Sequence, residues 1–328
     1  MRLVSSELPE SYADQPQWRR IQSFLPTAYQ LGPDDLPAEE WWDWEGHRLH
    51  LDTYRNPDAP AKVILLHGVG TNGRQMTTIL GHPLAERGLE TIAVDMPTYG
   101  LSRVRPDALV TYDDWVRAGS ALVDAELAKD DRPIVLYGLS AGGMEAYHIA
   151  AVNPKVKGIV GMTFLDQRNP QVQVETAITK IAGRTGETTM RLGASSPLRR
   201  VKVPMRLVSK MHTLVNDKAA LKACLADKTS AGNAVTLTFL DSYLRYEPAV
   251  QPEQFDACPI LLTQPAKDRW SPLRLSTPFL DRITRVPVRV TELANAGHYP
   301  IEQPGLDQLV DAADGFVREV TRGDVNSG

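Results

Sequence analysis

Short and almost uninterrupted apolar runs alternate with longer amphipathic stretches through most of this 328-residue chain. The apolar runs predict strands at residues 63–66, 90–95, 134–137, 156–164, 259–263 and 286–291. The amphipathic stretches predict helices at about 74–87, 112–128, 141–151 and 306–321. Strands that are apolar on both faces and separated by helices indicate a mostly parallel sheet covered by helices on both sides. The sequence therefore predicts an α/β fold.

Three regions depart from this alternation. Residues 41–54 alternate around Glu45 and Gly46, which predicts a β-hairpin at the start of the body. Residues 1–37 are polar and punctuated by proline, so we expect an N-terminal extension there. Between residues 167 and 256 the strand–helix repeat stops, which predicts a cap inserted over the sheet rather than a second independent domain. The α/β core is then expected at residues 38–166 and 257–328.

Composition excludes several classes of protein. A net charge of −4 argues against nucleic acid or an anionic membrane as a main partner. Cys224 and Cys258 have neither metal-ligand nor redox spacing, which favours a reducing compartment. Neither a signal peptide nor an apolar run of about 20 residues is evident, so we expect a cytoplasmic protein without an integral membrane segment. The tryptophan-rich hairpin and the N-terminal extension are candidate contact surfaces for a homodimer.

The most informative motif is Gly138-Leu139-Ser140-Ala141-Gly142, a G-x-S-x-G pattern between a predicted strand and a predicted helix. At such a junction the turn exposes the serine oxygen, while the two glycines remove side chains that would crowd it. The pattern predicts Ser140 as a catalytic nucleophile. The alternative is a glycine-rich turn that only packs a helix closely against a sheet.

A serine hydroxyl needs a positioned base, and the base needs a group that orients it. His298 follows the last predicted strand and is the candidate base. Asp268 follows the strand at 259–263 and is the favoured acid on this placement alone. Asp166, at the end of the preceding strand, remains the alternative acid.

The turn His67-Gly68-Val69-Gly70 follows the first central strand of the predicted sheet. Its Val69 N–H, together with the Ala141 N–H, is predicted to form an oxyanion hole. His67 is expected to brace the turn, and His67, Gly68 and Leu139 are candidate substrate contacts. A phosphate-binding loop is the alternative, but the Gly-Lys-Ser/Thr ending of such loops is missing. This chemistry calls for neither a cofactor nor a metal.

Together with Asp95-Met96-Pro97-Thr98-Tyr99-Gly100-Leu101-Ser102, these motifs resemble the α/β-hydrolase superfamily. The Asp95 segment is similar to the family's D-x-P-G-x-G-x-S turn, with Thr98 in place of a glycine. The resemblance implies an eight-stranded, mostly parallel sheet with a helical cap inserted after the sixth strand. The insertion is similar in position and size to that of lysophospholipase-like and monoacylglycerol-lipase-like members. Candidate residues for the wall of an acyl pocket are Met205, Leu207, Met211 and Leu214.

The sequence therefore predicts a serine hydrolase that cleaves a carboxylic ester of a small or lipid-like substrate through an acyl-enzyme. Amide or thioester hydrolysis, aminopeptidase activity, and a lyase or acyltransferase reaction use the same parts and stay open. A non-catalytic receptor or scaffold is the least supported alternative, because serine, aspartate and histidine are all present.

Overall fold

The computed structural model describes residues 9–179 and 191–322. Its strands are β1 (Ala38–Trp44), β2 (His47–Tyr54), β3 (Lys62–Leu66), β4 (Glu90–Val94), β5 (Ile134–Gly138), β6 (Val156–Gly161), β7 (Lys202–Pro204), β8 (Ala234–Thr236), β9 (Ile260–Pro265) and β10 (Val288–Leu293). Eight of them form one sheet in the order β1-β2-β4-β3-β5-β6-β9-β10, and β7 pairs with β8 alone.

Only β2 runs in the opposite direction to the other strands of the large sheet. The hairpin β1–β2 is antiparallel and joins β4 antiparallel, whereas all pairs from β4 across to β10 are parallel. Every residue of β3, β4 and β5 is buried, as the uninterrupted apolar runs require. The predicted eight-stranded, mostly parallel sheet and its edge hairpin are confirmed.

The helices are α1 (Pro16–Gln22), α2 (Gly73–Met76), α3 (His82–Glu86), α4 (Tyr112–Leu127), α5 (Ala141–Val152), α6 (Pro170–Thr176), α7 (Lys218–Ala226), α8 (Leu237–Leu244), α9 (Thr277–Leu280) and α10 (Gly305–Thr321). The single helix predicted at 74–87 is divided, because a π-helical turn at Thr77–Gly81 separates α2 from α3. Pro83 lies in the first turn of α3, where its missing N–H could not have continued the upstream helix.

We call residues 162–259, between β6 and β9, the insertion. Its described part contains α6, α7, α8 and the short β7–β8 ladder, so the strand–helix repeat does stop where the sequence indicates. Its independence as a cap, with boundaries at 167 and 256, stays a prediction, and residues 180–190 lie outside the described residues. Across residues 9–179 and 191–322, the helices are all too short or too polar to cross a membrane.

Glu145 is an unusual residue of α5, the helix that follows Ser140. Its side chain is completely buried, and neither carboxylate oxygen has a hydrogen-bond partner. Burial raises the pKa of this carboxyl well above its usual value of 4.5, so the folded protein retains a proton that the unfolded chain releases. The stability of the fold must therefore decrease as pH rises above the unfolded pKa.

The variant Glu145→Gln should remove this pH dependence. Above pH 4.5, we expect the variant's free energy of unfolding to exceed that of the wild type by a margin that grows by about 1.4 kcal/mol per pH unit. The growth should stop at the pKa of Glu145 in the folded protein. Urea denaturation at several pH values measures the difference. Glu86→Gln, at an exposed position of α3, is the matched control and should follow the wild type. Parallel pH curves for Glu145→Gln and wild type would contradict a neutral Glu145.

Candidate active site

Ser140 occupies a sharp turn between β5 and α5. Its backbone angles are φ 58° and ψ −119°, a conformation that costs energy for a residue with a side chain. The turn forces α5 very close to the preceding strands, since a Cβ on Gly142 would lie 2.6 Å from the Leu66 carbonyl oxygen. Only glycine fits there, and Ser140 is held at the carboxyl edge of the sheet in a strained and well-defined position.

Asp268 and His298 meet at the same edge. Asp268 follows β9, His298 follows β10, and His298 Nδ1 lies 2.8 Å from Asp268 Oδ2. The other carboxylate oxygen accepts the backbone N–H groups of Trp270 and Ser271 at 2.7 and 2.8 Å. Burial would raise the pKa of Asp268, but His298 and these hydrogen bonds lower it to about 2. The carboxylate is thus ionised and fixed against the imidazole.

Asp166, the alternative acid, is engaged elsewhere. Arg168 Nε and Nη2 donate to its two oxygens at 2.9 and 2.8 Å. Asp166 follows β6, whereas β9 and β10 are adjacent strands, so the loop after β9 carries its carboxylate directly to His298. The geometry favours Asp268 as the partner of His298.

Sequence reasoning missed Ser271, which touches both members of this pair. Its Oγ donates to Asp268 Oδ2 at 2.8 Å and lies 2.9 Å from His298 Nδ1. The Trp270 ring packs against the imidazole with centroids 4.8 Å apart. An aspartate commonly forms a turn by accepting the N–H groups two and three residues ahead, and this preference could have indicated the turn at Asp268. No sequence signal indicates the contact with His298.

The turn after β3 lies against the Ser140 junction. A Cβ on Gly68 would be 2.8 Å from both the Leu139 carbonyl oxygen and Ser140 Cβ, and 3.4 Å from the Ala141 nitrogen. The hydrogen bonds of the described residues use neither the Val69 N–H nor the Ala141 N–H. Tyr99 and Tyr112 donate hydroxyl hydrogen bonds to the Val69 and Ala141 carbonyl oxygens, at 2.9 and 3.0 Å. These contacts hold the backbone of Val69 and Ala141 while leaving the N–H groups of both residues unpaired.

His67 braces this turn through two backbone hydrogen bonds. Its Nδ1 donates to the Gly68 carbonyl oxygen at 2.8 Å, and its Nε2 accepts the Met96 N–H at 3.0 Å. The ring is completely buried, and burial lowers its pKa, so it stays neutral. Both nitrogens are used by the backbone, which favours bracing over substrate contact. The Leu139 side chain is also buried, and substrate contacts for His67, Gly68 and Leu139 stay predictions.

Part of the insertion covers the turn. Met211 Sδ and Leu214 Cδ1 would lie 2.9 and 3.1 Å from a Cβ on Gly70. The Leu214 carbonyl oxygen accepts the N–H of Tyr299, the residue after His298. Met205 is buried, but Leu207 is 57% exposed and lies on the outer surface. Of the four candidate pocket residues, Met211 and Leu214 are thus the two that reach the site.

His298 Nε2 is buried and has no hydrogen-bond partner. It does not bond Ser140 Oγ in this state, although such contacts commonly tighten only when substrate is bound. The imidazole therefore has one nitrogen committed to Asp268 and one free to accept a proton.

Thr98 shows how this chain differs from the family's glycine at the same position. It adopts φ 77°, a conformation that favours glycine, and its carbonyl oxygen accepts a hydrogen bond from Asn233 of the insertion at 2.9 Å. The substitution is accommodated locally, since Asp95 and Tyr99 on either side keep their contacts with the site.

The N-terminal extension reaches under the turn at Gly68–Gly70, which the sequence did not indicate. The Tyr12 hydroxyl lies 3.1 and 3.0 Å from the two oxygens of Asp95. Asp95 also accepts the N–H of Gly73 at 2.7 Å, four residues after Val69. Gln15 donates to Asp227 of the insertion at 2.9 Å. The extension therefore ties the turn, the Asp95 loop and the insertion together.

Charged residues surround this contact. Arg74 pairs with Asp52, and His50 pairs with Glu39 at 2.9 Å and with Asp95 at 3.2 Å. Burial alone would lower the pKa of His50, but the hydrogen bonds that its ring donates to Asp95 and Glu39 raise it to about 10. Glu39, His50 and Asp52 offer ligand atoms within 4.8 Å of one another. Because Arg74 and His50 already pair with the three carboxylates of Glu39, Asp52 and Asp95, we assign these residues to a structural ion cluster.

Tyr12→Phe should impair both the fold and turnover. The hydrogen bond to a buried carboxylate contributes about 1.5–3 kcal/mol, and the loosened Asp95 should lower kcat about threefold to thirtyfold. Tyr29→Phe is the matched control, since the Tyr29 hydroxyl donates to Asp307 at 2.8 Å, away from the site. Urea denaturation and ester hydrolysis measure both effects. Equal kcat values for the two variants would reduce Tyr12 to a purely structural role.

Gly68→Ala should disable the turn because the new methyl group would collide with the Ser140 junction. Displacing the Val69 N–H is expected to lower kcat about 10²–10³-fold, the usual effect of losing one oxyanion donor. Gly315→Ala in α10 is the control, because nothing lies within 4 Å of its added Cβ. It should keep full turnover and gain about 0.5–1 kcal/mol of stability. Wild-type kcat for Gly68→Ala would contradict this reading of the turn.

The sequence model of the alpha/beta hydrolase family matches residues 63–312, more than half of the chain. The chain belongs to the α/β-hydrolase family. Among curated relatives, the lipase LipV of Mycobacterium tuberculosis is 38% identical over 106 residues, which are 32% of this chain and 37% of LipV. A pimeloyl-[acyl-carrier protein] methyl ester esterase of Xanthomonas oryzae is 32% identical over 114 residues, 34% of this chain and 38% of that protein. The matches thus span little more than a third of either relative.

Solved structures agree on the fold across a much larger part of this α/β hydrolase. A soluble variant of monoglyceride lipase from Saccharomyces cerevisiae superposes with a TM-score of 0.71 at 15% identity, over 90% of this chain and 98% of that one. Monoacylglycerol lipase of Paleococcus ferrophilus gives a TM-score of 0.63 at 16% identity, over 83% and 99%. At such identities the likeness establishes the fold alone.

Proposed function

We propose that this α/β hydrolase is a serine esterase that cleaves a carboxylic ester through an acyl-enzyme. The observation that carries the proposal is the buried Asp268–His298 pair. His298 Nε2 has no hydrogen-bond partner, and the pair lies at the same sheet edge as the strained Ser140. An ionised carboxylate on Nδ1 fixes the tautomer that leaves Nε2 as a base, which is the arrangement that activates a serine hydroxyl.

In the first half of the reaction, Ser140 Oγ attacks the ester carbonyl and His298 Nε2 takes the hydroxyl proton. Negative charge moves to the carbonyl oxygen, where the N–H groups of Val69 and Ala141 donate to it. The tetrahedral intermediate then collapses, and the proton on His298 passes to the departing alkoxide, which leaves as an alcohol. Asp268 stays ionised and stabilises the imidazolium that forms in between.

In the second half, water takes the place of the alcohol. His298 removes a proton from the water as it attacks the acyl carbonyl, and the same two N–H groups hold the oxyanion. Collapse returns the proton to Ser140 Oγ and releases the carboxylic acid. All proton transfers pass through His298 Nε2. The Asp268 carboxylate on Nδ1 must therefore hold the imidazole in a fixed orientation.

The relatives support ester over amide chemistry. LipV is named a lipase, the Xanthomonas protein is named a methyl ester esterase, and both folds superposed above are named lipases of monoglyceride or monoacylglycerol. Met211 and Leu214 over Gly70 add an apolar cover, which suits an acyl group better than a charged peptide terminus. We therefore favour a substrate whose apolar part is an acyl chain.

The proposal is tested by a substrate series that separates these chemistries. Purified protein is assayed on p-nitrophenyl esters of increasing chain length, on the matching thioesters and on aminoacyl p-nitroanilides, with Ser140→Ala alongside. We expect the highest kcat/KM on esters and none of this turnover in the variant. Higher kcat/KM on the anilides would identify an aminopeptidase instead, and turnover that survives in Ser140→Ala would refute the serine mechanism.

A further inference from the structure

The insertion carries a surface that the catalytic proposal does not use. Between Arg191 and Lys210 the chain has six basic residues and no acidic one, in a protein whose net charge is −4. We call residues 191–210 the basic edge. Its basic residues are Arg191, Arg199, Arg200, Lys202, Arg206 and Lys210. Within the described parts of the chain, none of the six forms an ion pair, although basic residues elsewhere in the fold are commonly paired.

The same edge exposes aliphatic side chains. Leu192, Leu198, Val201 and Leu207 are 46–66% exposed. They account for four of the eight large hydrophobic residues that are exposed among the described residues, in a segment of only 20 residues. Exposed aliphatic groups concentrated in this way mark an interaction surface rather than the ordinary scatter of apolar surface.

Local structure keeps these side chains outside. Pro197–Arg200 forms a 3-10 turn, and β7 pairs only with β8, so the other face and edge of this small ladder have no further strand to cover them. The Leu237 N–H donates to the Val201 carbonyl oxygen, and the Thr238 hydroxyl donates to that of Arg199. The backbone is therefore anchored to α8 while the side chains of Leu198 and Arg200 point away from a packed core.

We propose that the basic edge docks this protein on an anionic lipid surface. Interleaved cations and aliphatic groups fit a bilayer interface, where the cations meet phosphate headgroups and the aliphatic groups enter the boundary with the acyl chains. Protein interfaces, in contrast, are enriched in aromatic anchors as well as in arginine and are depleted in lysine, and the basic edge has two lysines and no aromatic residue. The residue types of the basic edge therefore favour a lipid surface over an acidic protein.

Two features connect the docked surface with the site. A cleft of about 290 Å³ beside the edge is lined by Arg200 and Lys202 on one wall and by Thr98 and Arg105 on another, room enough for a headgroup. Arg105 pairs with Asp107, whereas Arg200 donates to the Asp107 backbone carbonyl oxygen at 2.8 Å, so no carboxylate of the described residues neutralises Arg200 or Lys202. The edge then continues directly into Met211, which covers Gly70. A lipid drawn from the surface would enter beside that cover.

Docking is measured by co-sedimentation of the full chain with vesicles of phosphatidylcholine, with and without phosphatidylglycerol. Using Ser140→Ala prevents turnover, and the result does not depend on the proposed esterase activity. We expect binding to the anionic vesicles that weakens as salt is raised. Replacing Arg199 and Arg200 together by Gln should lower the partition coefficient about thirtyfold, and replacing Leu198 and Leu207 by Ser at least about tenfold.

The matched control replaces Arg19 and Arg20, two adjacent exposed arginines of α1, by Gln. It should bind as tightly as the parent, and thermal unfolding should confirm that all variants are folded. Hydrolysis of a soluble short-chain ester should be the same in the Arg199/Arg200 variant as in the wild type. Equal binding to neutral and anionic vesicles, or equal losses in both arginine pairs, would overturn the proposal. Failure to bind vesicles combined with salt-sensitive binding to polyglutamate would also overturn it, in favour of an acidic protein partner.

Discussion

Replacing Ser140 by alanine is expected to lower kcat about 10⁶-fold while leaving the fold intact. The alanine keeps the Cβ and removes only the hydroxyl oxygen, which makes no capping hydrogen bond to α5. The loss is large because His298 and Asp268 cannot act without a nucleophile, so one substitution costs as much as removing all three groups. Substrate binding through the Met211 and Leu214 cover should survive.

Ser271→Ala is the control for this variant, since it removes a hydroxyl that touches Asp268 and His298 but is not the proposed nucleophile. It should keep most of the turnover that Ser140→Ala loses. A steady-state assay on the best p-nitrophenyl ester, with circular dichroism to verify folding, measures both. If the two variants lost the same activity, Ser140 would have no special role.

Asp268→Asn has the second largest expected effect, about 10⁴-fold in kcat. An amide in place of the carboxylate can donate a hydrogen to His298 Nδ1, which would stabilise the tautomer with the proton on Nε2. That tautomer has no lone pair on the nitrogen that must accept the Ser140 proton. Because the pKa of Asp268 is held at about 2, the carboxylate is ionised throughout the neutral range, and the loss should be the same from pH 6 to 9.

Asp166→Asn provides the comparison, because Asp166 also follows a strand but is only partly buried and bonds Arg168. It should reduce stability slightly and change kcat less than about threefold. Measuring kcat for both variants on the same ester decides between the two acids. A larger loss in Asp166→Asn would move the acid to the end of β6.

The fold was predictable because its central strands are apolar on both faces. The runs before Leu66, Val94 and Gly138 could bury themselves only between two layers of helices, and the structure confirms them within a few residues. The division of the helix at 74–87 was less accessible, since a π-helical turn depends on packing that no periodicity records. Because the strands from β4 to β10 are parallel, their carboxyl ends lie at one edge of the sheet, and the motifs that follow these strands lie along that edge.

The site was predictable where chemistry needs a particular residue and less so where packing decides. Ser140, Asp268 and His298 were proposed from their residue types and places after strands, and the structure places the Asp268–His298 contact at the sheet edge that carries Ser140. Ser271 and Tyr12 were not, because a serine and a tyrosine are common and nothing near them in the chain indicates which carboxylate they reach. Leu207 illustrates the reverse error, since it is exposed although Met205, in the same 3-10 turn, is buried.

The central claim is that Ser140 is the nucleophile of an esterase site. A fluorophosphonate reacts with an activated serine and leaves a stable phosphonyl ester, so the most direct measurement is the intact mass of the treated protein followed by mass spectrometry of its peptides. The account predicts one adduct on wild type, located at Ser140, with none on Ser140→Ala and much slower formation on Asp268→Asn. No adduct on folded wild type, or an adduct of equal yield on Ser140→Ala, would contradict it.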